Sequence, residues 1–248
     1  MKKETFKNKL NNLASKFINE NLDKTKGKIP VEKRQEIRPK TDYLIESFLA
    51  LAEIENIFEQ LEQTPYFLSN FRQTKKLKEK RISRFNHIIY HIESYLFRIT
   101  GIMDRMMILL NIIFETNLVP EKCKPYNFLL DNKGKEGKYA GIIKKSDPEL
   151  FLELNLLGFL IQDFRKIRNE IAHQKRFNSK DLRNIELFNI VEADVEIDNF
   201  KYLVKRETDK TVADYKRKML DANEKIRIHL EKSYECLDFI WTETYDKK

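Results

Sequence analysis

Arg168 and His173 stand five positions apart in Arg168-Asn169-Glu170-Ile171-Ala172-His173. Residues of those two types can serve RNA cleavage that uses no metal ion. A guanidinium neutralises charge on a phosphate, and an imidazole moves protons near neutral pH. The bare spacing is a weak signal. Allowing four to six intervening residues, about one match arises by chance in a chain of this composition. The surrounding elements must therefore decide.

Leu160, Phe164, Ile167 and Ile171 recur at spacings of four, three and four, which makes an apolar stripe on one helix face. At about 100° per residue, Asn169, Ala172 and His173 fall off that stripe, with His173 roughly opposite it. A core histidine would sit on the stripe. Asn169 and His173 are one turn apart, within hydrogen-bonding reach of each other. Arg168 lies at the flank, long enough to curl toward them, and the small Ala172 leaves room for a second helix. Asp147-Pro148 reads as a cap and a first-turn proline, so the motif helix is expected over about 148–175.

Arg-Asn-x-x-Ala-His after an apolar helix resembles the signature of HEPN domains, helical modules that bind nucleotides or cut RNA. The run from Phe85 to Arg98 resembles the long helix that precedes the motif helix in some prokaryotic members. The resemblance spans roughly residues 80–245, with low similarity between the two helices. It implies an all-α, HEPN-like antiparallel bundle of long helices, here with an additional N-terminal helical segment. It also implies a homodimer in which two motifs face each other across a cleft and act on one RNA backbone. Arg168, Asn169 and His173 are then the catalytic set. Many members are toxins or defence nucleases, which implies an antitoxin or other regulatory protein as a second partner. Others have lost activity, so an inactive module that binds RNA or nucleotides, or that only dimerises, is the alternative. Certain toxin members carry a tyrosine two residues past the histidine, which a partner enzyme modifies; this chain has Lys175 there.

For catalysis, His173 is expected to act as general base on a ribose 2′-hydroxyl or as general acid on the leaving 5′-oxygen. A two-fold axis supplies the second histidine. Arg168 stabilises charge developing on the phosphate, and Asn169 orients the imidazole or touches the phosphate. No cofactor is expected.

The long helices must carry this chemistry. Six glycines and six prolines in 248 residues argue for few turns. A net charge of +8 with 35% charged residues suits a polyanionic partner such as RNA. Cys123 and Cys236 are too few for a disulfide framework. No apolar run is long enough to span a membrane, and the N-terminus is charged and amphipathic, so a cytoplasmic protein is expected.

Phe6, Leu10, Leu13 and Phe17 predict an amphipathic helix, and residues 23–40, with Gly27, Pro30 and Pro39, read as a basic linker. Residues 1–40 are thus set apart from a HEPN-like helical domain at 41–248. Thr41 is expected to cap the next helix and Thr64-Pro65 to interrupt it. From Ile82 to Ile113, apolar residues alternate spacings of three and four without a miss. Gly101 in that seam suits a kink or close packing. A loop is expected over 117–146, a helix from a Ser179 cap to about Glu192, an irregular or hairpin segment over 193–207, and a last helix from Thr211 to Tyr245.

Beside the seam, Arg84, His91, Arg98 and Arg105 recur every seven residues, flanked by His87 and Tyr95. With Lys75, Lys76 and Lys78 from the basic run between Arg72 and Arg84, they are candidate RNA contacts. A solvated face with local ion pairs is the competing reading. His87 and His91 have the spacing of two metal ligands but no evident third, so no metal is expected. His229 has no partner legible in the sequence.

Overall fold

Two prolines that should break a helix lie inside one. The computed structural model describes residues 5–21, 31–131, 133–174, 180–192 and 198–248. In chain order its helices are α1 (Phe6–Asn21), α2 (Val31–Ser69), α3 (Lys75–Glu79), α4 (Arg84–Ile113), α5 (Pro125–Phe128), α6 (Ala140–Ser146), α7 (Pro148–Gln174), α8 (Lys180–Glu192) and α9 (Asp198–Asp246). A 3-10 turn at Pro120–Lys122 and a lone bridge between Leu130 and Glu136 complete it, so the described residues hold no strand longer than one bridge. The fold is all-α.

Helix α2 starts before Thr41 and runs through both Pro39 and Pro65. Pro65 has no N–H, so the Leu61 carbonyl one turn back loses its helical donor. Asn223 of α9 replaces it: its Nδ2 donates to the Leu61 carbonyl at 2.9 Å. The Tyr95 hydroxyl of α4 in turn donates to Asn223 Oδ1 at 2.8 Å. Leu61, Tyr95 and Asn223 are all buried. The core thus supplies the hydrogen bond that the proline removed, and the expected break does not occur.

Helix α9 likewise begins at Asp198, well before Thr211. Val204, Thr208, Val212 and Met219 are buried along it at helical spacing. Thr208 hides this period because it is polar, yet its hydroxyl donates to the Val204 carbonyl at 2.7 Å and is satisfied within the helix. The irregular segment expected up to residue 207 is therefore helical from Asp198 onward. Residues 193–197 and Ser179 lie outside the described residues.

The chain divides into two compact units. Unit one comprises residues 1–56, 102–160 and 227–248. Its core holds Leu10, Leu44, Leu51, Met106, Leu154, Leu230 and Leu237 around Trp241, which stacks on Tyr43 at 5.8 Å and on Tyr245 at 4.7 Å. The loop after α4 is tied down by Asn111, whose Oδ1 accepts from the Leu118 N–H at 2.9 Å and the Thr116 hydroxyl at 2.6 Å. Gly137 is required in that loop, because a Cβ there would lie 2.4 Å from the Tyr126 carbonyl. Asn155 of α7 accepts from the Leu130 N–H at 2.9 Å and so fixes the loop to the motif helix.

Unit two comprises residues 57–101 and 161–226. Leu61, Leu68, Ile88, Ile92, Ile99, Ile161, Ile171, Ile185 and Met219 are buried there. Each such side chain contributes about 1.5–3 kcal/mol of burial. Close packing does not demand Gly101: α4 is continuous through it, and an added Cβ would make only ordinary contact with Ile57 at 3.7 Å.

Candidate active site

Asp147 starts the helix that carries the motif. Its Oδ1 accepts from the Glu149 N–H at 2.8 Å and the Leu150 N–H at 3.0 Å, with Pro148 in the first turn. Helix α7 ends at Gln174, so His173 sits in its last turn. Ile171 is buried in the core of unit two and fixes the rotation of this turn; Leu160, Phe164 and Ile167 are half-buried. Asn169, Glu170, Ala172 and His173 are exposed.

Arg168 behaves differently from its neighbours. It is half-buried, and its Nε is fully buried with no hydrogen-bond partner among the described residues. A step of five residues turns the helix by about 140°, so Arg168 leans toward the core side and His173 toward solvent. No hydrogen bond joins Asn169 to His173 among the described residues.

The basic row on α4 is largely engaged within the chain. Arg84 pairs with Asp209. Arg98 Nε donates to Gln60 Oε1 at 2.7 Å. Arg105, which belongs to unit one, holds Glu53 at 3.1 Å. Tyr95, expected to flank the row, is instead buried and bonded to Asn223. His91 is half-buried, its ring 4.4 Å from that of His87. Burial, then the neighbouring His87 and Arg98, pushes its pKa down to about 4. Among the described residues no group of three or more histidine, cysteine, aspartate or glutamate side chains is arranged to hold a metal ion. Lys75, Lys76 and Lys78 are exposed on α3, whose first turn is capped by Thr74.

Two features escaped the sequence reading. His229 has a partner: its Nδ1 lies 2.6 Å from Glu153 Oε2, and Lys232 Nζ donates to Glu153 Oε1 at 3.0 Å. Burial alone would raise the Glu153 carboxyl, but the hydrogen bonds and charges of His229 and Lys232 outweigh it and hold the pKa below the ordinary value. The spacing of three between His229 and Lys232 was a visible signal; the buried carboxylate on α7 was not. The second feature is a chain of rings joining α2 to α4, in which Phe67 and Tyr90 are exposed.

The family model described as Cthe2314-like HEPN matches residues 36–234. No curated protein and no solved structure matches the chain. The family match takes in α4, the motif helix and most of α9, well over half of the 248 residues, and the chain belongs to the HEPN family.

Proposed function

We propose that this protein is a metal-independent endoribonuclease whose site is composed of Arg168, Asn169 and His173 from two copies of the chain. One observation carries the reading. The exposed polar residues of the motif do no visible work for the fold, while Ile171 between them anchors the turn in the core. Asn169 and His173 face solvent, and Arg168 keeps a buried donor without a partner among the described residues. An arginine retained for stability would use that donor, since leaving it unmet costs free energy.

The divergence of Arg168 and His173 by about 140° around α7 favours a second copy as the source of the complementary group. An isologous pairing would bring two motifs together.

In the reaction one His173 removes the proton from a ribose 2′-hydroxyl. The 2′-oxygen attacks the adjacent phosphorus, and the bond from phosphorus to the 5′-oxygen breaks. The second histidine protonates that leaving oxygen, and Arg168 offsets the charge on the phosphoryl oxygens. The products are a 2′,3′-cyclic phosphate and a 5′-hydroxyl, and DNA, lacking the nucleophile, survives. Such a nuclease works in the cytoplasm as a toxin or defence component, held in check by an antitoxin or other regulatory protein.

Incubating purified protein with RNA in EDTA tests this. Wild type cuts and leaves those ends. His173→Ala loses about a hundredfold or more in rate, with stability changed by no more than about 0.5 kcal/mol because the residue is exposed. Uncut RNA would make the protein an inactive binding or dimerisation module.

A further inference from the structure

The connection between α2 and α4, all within unit two, combines two features. The first is a contiguous set of rings. Phe71 lies 5.0 Å from His87, His87 lies 4.4 Å from His91, and His91 meets Phe67 at 6.0 Å and Tyr90 at 5.3 Å. His87 Nε2 is 2.8 Å from the Phe67 carbonyl, which locks the two helices at this point. The outermost rings remain open to solvent, Phe67 at 53% and Tyr90 at 63%.

The second feature is the loop itself. Its base is closed by the contact of Phe71 with His87 and by Gln73 Nε2 donating to the Ile82 carbonyl at 3.2 Å. It therefore leaves and returns at the ring cluster. Between those ends stand Arg72, Lys75, Lys76, Lys78, Lys80 and Arg81, all exposed and in no ion pair among the described residues, against Glu79 alone. Rings without charges would suit an apolar partner, and charges without rings would suit any polyanion. Flat rings beside free cations match a ligand with a phosphate backbone and uncovered base faces.

We propose that this loop and ring cluster form a docking platform for single-stranded RNA, with Phe67 and Tyr90 stacking on unpaired bases and the loop lysines tracking the phosphates. This deepens the ribonuclease reading, on which it rests for the choice of RNA over DNA, by naming unpaired RNA as the substrate class. A duplex hides its base faces and can engage only the cations. Stacking on an aromatic side chain is worth about fivefold to a hundredfold in affinity per base.

The test uses the full chain and a short fluorescent RNA carrying 2′-O-methyl groups throughout, which binds but offers no nucleophile. The expected result is that the single strand binds at least about tenfold tighter than its blunt duplex. Phe67→Leu with Tyr90→Leu then loses about that factor for the single strand and leaves duplex binding unchanged. Leucine keeps the apolar bulk and removes only the aromatic face. Should the double variant melt early, Tyr90→Leu alone carries the test, since its ring is the more exposed. Equal binding of both nucleic acids, or full single-strand affinity in the leucine variants, overturns the platform; the second result is also what a protein-docking patch would give. Because the probe cannot be cut, the two readings fail separately. Ring-dependent binding without cleavage of ordinary RNA removes the nuclease and leaves the platform standing.

Discussion

Replacing Arg168 with methionine should cut the cleavage rate sharply while leaving the protein as stable as before, or more so. The magnitude follows from the surroundings of one atom. Arg168 Nε is buried without a hydrogen-bond partner among the described residues. An unmet buried donor costs about 1–3 kcal/mol. The residue as a whole is only half-buried, so its guanidinium tip stays hydrated and the lower end of that range applies. Methionine preserves the unbranched stem that packs against the core and deletes the donor. The expected change is therefore between no effect and a gain of about 1 kcal/mol, or about 2–4 °C in melting temperature for a chain of this size. Activity should fall by about a hundredfold to a thousandfold, the usual cost of removing a positioned group that stabilises transition-state charge. Thermal denaturation and RNA cleavage in EDTA on the same preparation read both quantities. A variant that melts several degrees lower and still cuts at the wild-type rate would show that the arginine anchors the helix end and does no chemistry.

Two further outcomes concern the scaffold. Asn223→Leu should destabilise the protein by about 2–4 kcal/mol, since it strands the Leu61 carbonyl and leaves the Tyr95 hydroxyl only a 3.2 Å contact with the Met219 carbonyl. Pro65→Ala restores an N–H to that turn, so in its background the loss should shrink by about 1–2 kcal/mol; strict additivity in chemical denaturation would show that the proline and Asn223 are not coupled. His91, held at about 4 in the folded chain against 6.5 ordinarily, takes up a proton on unfolding at intermediate pH. Its contribution is fully present above pH 6.5 and is lost as pH falls toward 4. His91→Phe should flatten this decline by about 1 kcal/mol after allowance for partial exposure, and an unchanged slope of melting temperature against pH would discount the burial of its imidazole.

The parts of this fold that were legible in the sequence are those decided by local rules. The three-and-four spacing from Ile82 to Ile113 placed α4, and Asp147-Pro148 placed the start of α7, because a seam and a cap are written in neighbouring residues. What stayed hidden depends on partners far along the chain. Pro65 breaks helices on its own, and only Asn223, distant in sequence, makes it harmless. Thr208 carries the period of α9 although it is polar, because the bond from its hydroxyl to the helix backbone is invisible in an apolar pattern. His229 lacked meaning until Glu153 came beside it. Of the site, the exposure of Asn169 and His173 followed from their place off the stripe. The inward lean of Arg168 was underestimated, since a flank position on a wheel does not say whether a long side chain turns to the core or to solvent.

Local pairing also divides the basic residues by what they can do for RNA. A protein gains affinity for a polyanion by placing free cations at phosphates and releasing counterions. A phosphate reaching Arg84 meets a guanidinium already paired with Asp209, and one reaching Arg105 meets one paired with Glu53, so each adds less net positive charge. Arg98 has its Nε committed to Gln60, and His91 is neutral near pH 7 because its pKa is about 4. The arginines of the repeat of seven on α4 therefore already hold partners within the chain. Lys75, Lys76 and Lys78 are exposed and in no ion pair among the described residues. Each can release close to one counterion on binding, so the salt dependence of RNA affinity should be set by the loop and should change little when Arg84 or Arg105 is neutralised.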